Sequence, residues 1–194
     1  MCIRDRELVH HEVENGLQVV SDGEFGRSWW HLDFLWNLTG FEAYQQEDSY
    51  KFHGAKTRTT NVRINGKIAE NPNHPFYRDF EYLKSVTPEG ITPKVTIPSP
   101  SLIINRDHRS DLYADYYDSW TDFLDDLAKA YHDTIQHFYD LGARYVQLDD
   151  TTWGYLIQQF ENEKNNPEKT AELAKIAEDD VYTCLLYTSP SPRD

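Results

Sequence analysis

Two acidic clusters stand where apolar segments end. Leu17-Gln18-Val19-Val20-Ser21 runs into Asp22-Gly23-Glu24, and Tyr145-Val146-Gln147-Leu148 runs into Asp149-Asp150. A carboxylate at the C-terminal tip of a buried strand can grip a substrate ammonium group, or act as an acid or base. Glu24 and Asp149 are the pair best placed to share one cavity. The alternative for both is a structural duty, as helix cap or loop ion-pair partner. Asp22 and Asp150 read as structural, because adjacent acids cannot all meet one ligand. Arg27, Trp29, Trp30, His31 and Asp33 follow the first cluster closely. The indoles could stack on a flat ligand and Arg27 could pair with a substrate carboxylate. At least one of the tryptophans is expected in the core instead. Trp153, just past the second cluster, is expected to floor or wall the cavity.

Other chemistries find no support in the pattern. His31 reads as a hydrogen-bonded histidine, not a metal ligand. The chain has eight histidines, but His10-His11, His53, His74, His108, His132 and His137 form no ligand spacing. His132 and His137 are expected to face solvent. There is no phosphate-cradling glycine loop and no nucleophile elbow. No metal site is expected within the chain.

The elements that must position these residues can be read in order. Glu7 to Asn15 is the end of a helix stopped by Gly16, and Leu17 to Ser21 is a short buried strand. Ser28 is read as the N-cap of an aromatic helix, Trp29 to Leu38, that stops at Gly40. Phe41 to Ala69 is a β-excursion in which Asn65-Gly66 is a hairpin signal. Pro75 to Ser85 is helical. Pro93 to Ile97 is the next strand, ending in Pro98-Ser99-Pro100. Asp118 to Leu141 is the strongest helix. Its Leu124, Leu127, Ala128, Tyr131, Ile135 and Phe138 recur at three- and four-residue spacing, an apolar stripe for a core. Gly142 ends it, and the Tyr145 to Leu148 strand follows. Trp153 to Phe160 and Pro167 to Ile176 are further helices, with a solvated connector over Glu161 to Glu168. Strands alternating with helices imply parallel pairing through right-handed crossovers, an α/β class. In barrels of that class the chemistry sits at the C-terminal ends of the strands.

Composition bounds the rest. The 194 residues amount to one domain, 39% hydrophobic and 14% aromatic, enough for a packed core. A formal net charge of −14 repels phosphate backbones and argues against nucleic acid as a partner. No stretch approaches the roughly 20 apolar residues of a membrane span. A soluble cytoplasmic enzyme acting on a small molecule is expected. The ends look foreign. MCIRDR (1–6) and CLLYTS (184–189) can be written as one DNA element and its reverse complement, translated, with SPSPRD continuing the second. Residues 1–6 and 184–194 therefore read as adapter-derived segments, flanking a natural stretch over 7–183. Both cysteines, Cys2 and Cys184, lie in those ends, so the natural stretch has no thiol for a disulfide or a thiolate metal site.

At SDGEFGRSWWHLDF (21–34), TIPSPS (96–101) and YVQLDDTTWGYL (145–156), the chain resembles the catalytic barrel of cobalamin-independent methionine synthase. The likeness is closer to that family's short single-barrel bacterial members, and it runs over 7–183. The resemblance implies a partial (β/α)8 barrel, with the β-hairpin excursion after its second strand. It implies methyl transfer from a methyltetrahydrofolate-type donor to the thiol of homocysteine, or a similar thiol, giving methionine. A zinc ion would favour the thiolate. Glu24 and Asp149 match carboxylates that hold the amino-acid end of homocysteine. Asp22, Arg27, Trp29, His31, Asp33, Asp150 and Trp153 would complete the pocket. The family's zinc ligands, a His-x-Cys motif with a later Glu and Cys, have no counterpart here, so zinc would be held outside this chain and the fragment would be inactive alone. Where the family commonly reads Asp-Glu-Pro, this chain reads Asp149-Asp150-Thr151. The family's folate-contacting tryptophan has no clear counterpart after Ser101. Paired carboxylates on a barrel would also suit a glycoside hydrolase, or a non-catalytic amino-acid-binding pocket.

Overall fold

The computed structural model describes residues 3–47, 51–52, 54–104 and 113–185. Met1, Cys2, His53, His108 and residues 186–194 lie outside the described residues. In chain order the elements are α1 (Ile3–Glu14), β1 (Val19–Val20), α2 (Leu32–Leu35), β2 (Thr39–Gln45), β3 (Lys51–Phe52), β4 (Ala55–Lys56), β5 (Thr60–Ala69), α3 (Pro75–Val86), β6 (Thr92–Pro93), β7 (Val95–Pro98), α4 (Ser101–Ile104), α5 (Trp120–Asp140), β8 (Val146–Asp149), α6 (Thr152–Glu163) and α7 (Pro167–Leu185).

The pairing of β1, β6, β7 and β8 is parallel, as helical crossovers require. Val19 lies opposite Thr92, and Val95 through Pro98 lie opposite Val146 through Asp149. β6 and β7 flank Lys94, whose amide donates to the Val20 carbonyl at 2.8 Å. A single run over 92–98 therefore bonds β1 with its first part and β8 with its last. Val95 and Ile97 are buried in one core with Leu127, Tyr131 and Phe138 of α5, and Val146 and Leu148 pack against it. Strand side chains alternate between faces. Thr96, Gln147 and Asp149 thus share the other face, the one that carries the acids.

The long helix forms for the reasons its sequence gives. Ser119 caps α5, its hydroxyl accepting from the Asp122 amide at 3.1 Å. Leu124, Leu127, Ala128, Tyr131 and Phe138 are buried along one stripe. Gly142 follows at φ +102°, a left-handed conformation that glycine adopts at little cost. Helix α3 starts at Pro75 behind an unusual cap. His74, 2% exposed, accepts from the Phe76 amide through Nδ1, and its Nε2 lies 3.0 Å from the Phe34 carbonyl. The ring is thereby the neutral Nε2–H tautomer. Burial holds its pKa down at about 4.

Three local expectations are corrected. The aromatic helix is only Leu32–Leu35, and Ser28 does not cap it. The Asp33 carboxylate instead accepts from the Ser28 and Trp29 amides at 3.1 and 2.7 Å, drawing residues 28–31 into turns. Gly40 does not end a helix. It lies in β2, at a register shift between Thr39 and Phe41, with φ +85° and the Lys67 carbonyl oxygen 2.4 Å from where a Cβ would sit. Asn65-Gly66 is not a hairpin turn but the interior of β5, whose antiparallel partner is β2. The excursion itself is present, after β1 and α2, with the short β3–β4 pair inserted between its long strands.

His137 is a fourth correction. It is only partly exposed, stacking on Tyr77 with centroids 3.8 Å apart, and its Nδ1 lies 3.0 Å from Glu70 Oε1. His132 is exposed, as expected. The borders drawn at 6/7 and 183/184 both fall inside helices, α1 and α7. Among the described residues no helix is long and apolar enough to cross a membrane.

Candidate active site

Glu24 sits in the turn that leaves β1, and its backbone is at φ +58°. A non-glycine residue is uncommon there, and such strain persists where the surroundings enforce it. The enforcement is visible. The Glu24 amide donates to Asp22 Oδ1 at 3.0 Å, and the Glu24 carbonyl accepts from the Arg27 amide at 3.0 Å. The side chain is then tied to the strands. Its Oε1 accepts from Arg27 Nη1 at 3.0 Å and from the Thr96 hydroxyl at 2.8 Å. Its Oε2 takes no hydrogen bond among the described residues, and the side chain is 30% exposed.

Arg27 is the anchor of this group. Its side chain is 6% exposed, and its other donors reach the Trp30 carbonyl, the Thr96 carbonyl and the Thr96 hydroxyl at 3.2, 2.8 and 3.1 Å. Its guanidinium lies 4.3 Å from the centroid of the Phe76 ring. Those contacts occupy the fork, so Arg27 orients Glu24 and the strand and does not wait for a substrate carboxylate.

Asp149 ends β8 and stands opposite Pro98, one strand over from the Glu24 anchor. Its Oδ1 accepts from Gln147 Nε2 at 2.5 Å. Its second oxygen, like that of Glu24, takes no hydrogen bond among the described residues. Gln147 lies opposite Thr96, and its Oε1 accepts from Lys94 Nζ at 3.1 Å. Each carboxylate is thus held through one oxygen by a residue of the paired strands, Glu24 by Thr96 of β7 and Asp149 by Gln147 of β8, and Thr96 and Gln147 are register partners on one face.

The remaining predicted residues divide. Asp150 uses both oxygens internally, accepting from Ser99 Oγ at 3.1 Å and from the Thr152 amide at 2.7 Å, where it opens α6. Asp22 holds the Glu24 turn and lines a narrow cleft with Arg27, Lys94, Thr96 and Asp79. Burial pushes the Asp79 carboxyl up, with Asp22 adding to it. Asp33 is spent on backbone amides and drops out of the pocket. Trp29 packs against the main core and edges onto His31, while Trp30 tilts against the same ring at 4.7 Å. Trp153 is exposed and lines a groove with Ala177, Val181 and Tyr182 of α7. Sequence reasoning passed over Lys94, Thr96 and Gln147. Their signal was there, as polar residues at alternate positions in otherwise apolar strands.

No family model matches the chain. A Bacillus subtilis protein, YxjG, whose function is uncharacterized, is 41% identical over 153 residues, 78% of this chain and 39% of that one. A solved Listeria monocytogenes protein, provisionally assigned as a vitamin-B12 independent methionine synthase, superposes with a TM-score of 0.67 at 34% identity. The match covers 97% of this chain and 50% of that one. This chain is a relative of the cobalamin-independent methionine synthases. The methionine synthase of Sulfolobus acidocaldarius is 29% identical over 143 residues, 74% of this chain and 39% of that enzyme. The chain thus spans between two fifths and half the length of these relatives.

Proposed function

We propose that this chain forms part of a cytoplasmic methyltransferase that moves a methyl group from a methyltetrahydrofolate-type donor to the thiol of homocysteine, giving methionine, or to a similar thiol. In this reading the parallel strands are staves of a partial (β/α)8 barrel, and residues 7–183 are its natural stretch. Glu24 and Asp149 grip the substrate's ammonium group. The observation that carries the reading is that each carboxylate is fixed through one oxygen by register partners on one face of β7 and β8, with its second oxygen taking no hydrogen bond among the described residues. An ammonium donates in three directions, and charge-assisted hydrogen bonds to two fixed carboxylates suit it. The relatives named above favour this over a glycoside hydrolase or a purely binding role.

The resemblance also implies zinc, which would stabilise a substrate thiolate. The described residues do not fit that ion: no group of three His, Cys, Asp or Glu side chains among them could hold it. In this reading zinc is held by residues outside this chain, and no step here passes through it.

Titration of L-homocysteine into the chain, followed by backbone amide spectra, tests the reading. Shifts are expected near Glu24 and Asp149, and Glu24→Gln and Asp149→Asn should each weaken binding about tenfold, the worth of one charged hydrogen bond. Unchanged binding in both variants would overturn it.

A further inference from the structure

We propose that Thr96 and Gln147 are positioning residues, a cross-strand pair that aims the open oxygens of Glu24 and Asp149 at one ammonium group. The inference rests on the reading just given and adds to it the parts that make the two acids act together.

The hydrogen-bond roles follow from the donors. Arg27 Nη2 can only donate to Thr96 Oγ1, so the Thr96 hydroxyl proton is directed to Glu24 Oε1 at 2.8 Å. Lys94 Nζ can only donate to Gln147 Oε1, which turns the amide nitrogen of Gln147 toward Asp149 Oδ1 at 2.5 Å. Asp149 is thus addressed by Lys94 through Gln147 alone, while Glu24 is addressed by Arg27 both directly and through Thr96. Thr96 and Gln147 are register partners across β7 and β8, on the face opposite the buried Val95 and Ile97.

The arrangement has a chemical consequence. A lysine bonded directly to Asp149 would compete with an incoming ammonium. Set one residue back, Lys94 fixes the carboxylate's orientation without a direct bond to it. At Glu24 the cation is not set back: Arg27 bonds Oε1 directly, and Oε2 takes no hydrogen bond among the described residues. Orientation held by such a supporting shell is worth as much to a site as the contacting groups themselves.

The test compares L-methionine with its analogue lacking the amino group, each added at millimolar concentration to the 194-residue chain and followed by amide chemical shifts. The ratio of their affinities reads recognition of the ammonium. The unaltered chain should favour L-methionine, and Glu24→Gln and Asp149→Asn should erase that preference. Thr96→Val and Gln147→Met should each lower it about tenfold, and Thr96→Ser, which keeps the hydroxyl, should restore it. Thermal melting of each variant separates loss of fold from loss of aim. If the acid variants erase the preference while Thr96→Val and Gln147→Met keep it, the positioning role is overturned and the carboxylate reading stands. If the unaltered chain shows no preference, or the acid variants keep it, the carboxylate reading fails and this inference fails with it.

Discussion

Single residues here carry more than their types announce. His74 is a histidine that works as a neutral helix cap inside the core. Its ordinary pKa of 6.5 is held down to about 4 by burial. Between those values the unfolded chain binds a proton that the folded chain does not. Stability should therefore fall as pH drops from about 6.5 to about 4, by roughly 3 kcal/mol in total at about 1.4 kcal/mol per unit. Urea unfolding across that range, on the unaltered chain and on His74→Gln, checks this. The unaltered chain should lose the additional stability, and the variant, less stable at pH 7, should lack that component of the slope. At the same scale Asp22 and Asp150 were legible as structural, and each accepts from a nearby backbone amide. Arg27 was legible as important but not in its role. Nothing in sequence could reveal that its fork is filled by Thr96 and the Trp30 carbonyl.

At the scale of elements, periodic patterns were read correctly and local competition was not. The 21-residue helix α5 declared itself through a stripe that had to be buried and a Ser119 cap. The segment 28–38 did not behave as its aromatic content suggested, because Asp33 offered the preceding amides a better acceptor than a helical turn. Asn65-Gly66 looked like a turn, yet it sits in the register shift of β5, between Ile64 and Ala69, both of which pair with β2. Gly40 is the matching irregularity across that ladder, and its backbone needs to have no side chain. Gly40→Ala should destabilise the chain by more than about 1 kcal/mol, since both the left-handed φ and the Lys67 carbonyl oppose a Cβ. A fall in melting temperature of at least about 2–4 °C would register it. An unchanged transition would mean the bulge relaxes freely.

At the scale of the whole molecule, the parallel strands have open edges among the described residues. Among the described residues β8 pairs only with β7 and β1 only with β6, and β8 is half-exposed along its length. Tyr155 and Ile157 on α6 are 58% and 63% exposed. Unpaired edges and uncovered apolar side chains favour association. Sedimentation of the purified chain should show self-association rising with concentration, against the dispersing effect of its −14 charge. A strict monomer at millimolar concentration would show that the exposed face is benign. The α/β class could be read from the alternation of strands and helices. The extent of the sheet could not, because sequence pattern identifies a buried strand without saying which neighbour buries it.

The central claim is that Glu24 and Asp149 meet one ammonium group. Carbon-13 labelling of the glutamate and aspartate carboxyls, with Glu24→Gln and Asp149→Asn used to assign the signals, reads that contact directly as L-methionine is added. Both carboxyl resonances should move along one saturation curve, and neither should move with the analogue lacking the amino group. Movement of one alone, or the same movement with both ligands, would contradict the account.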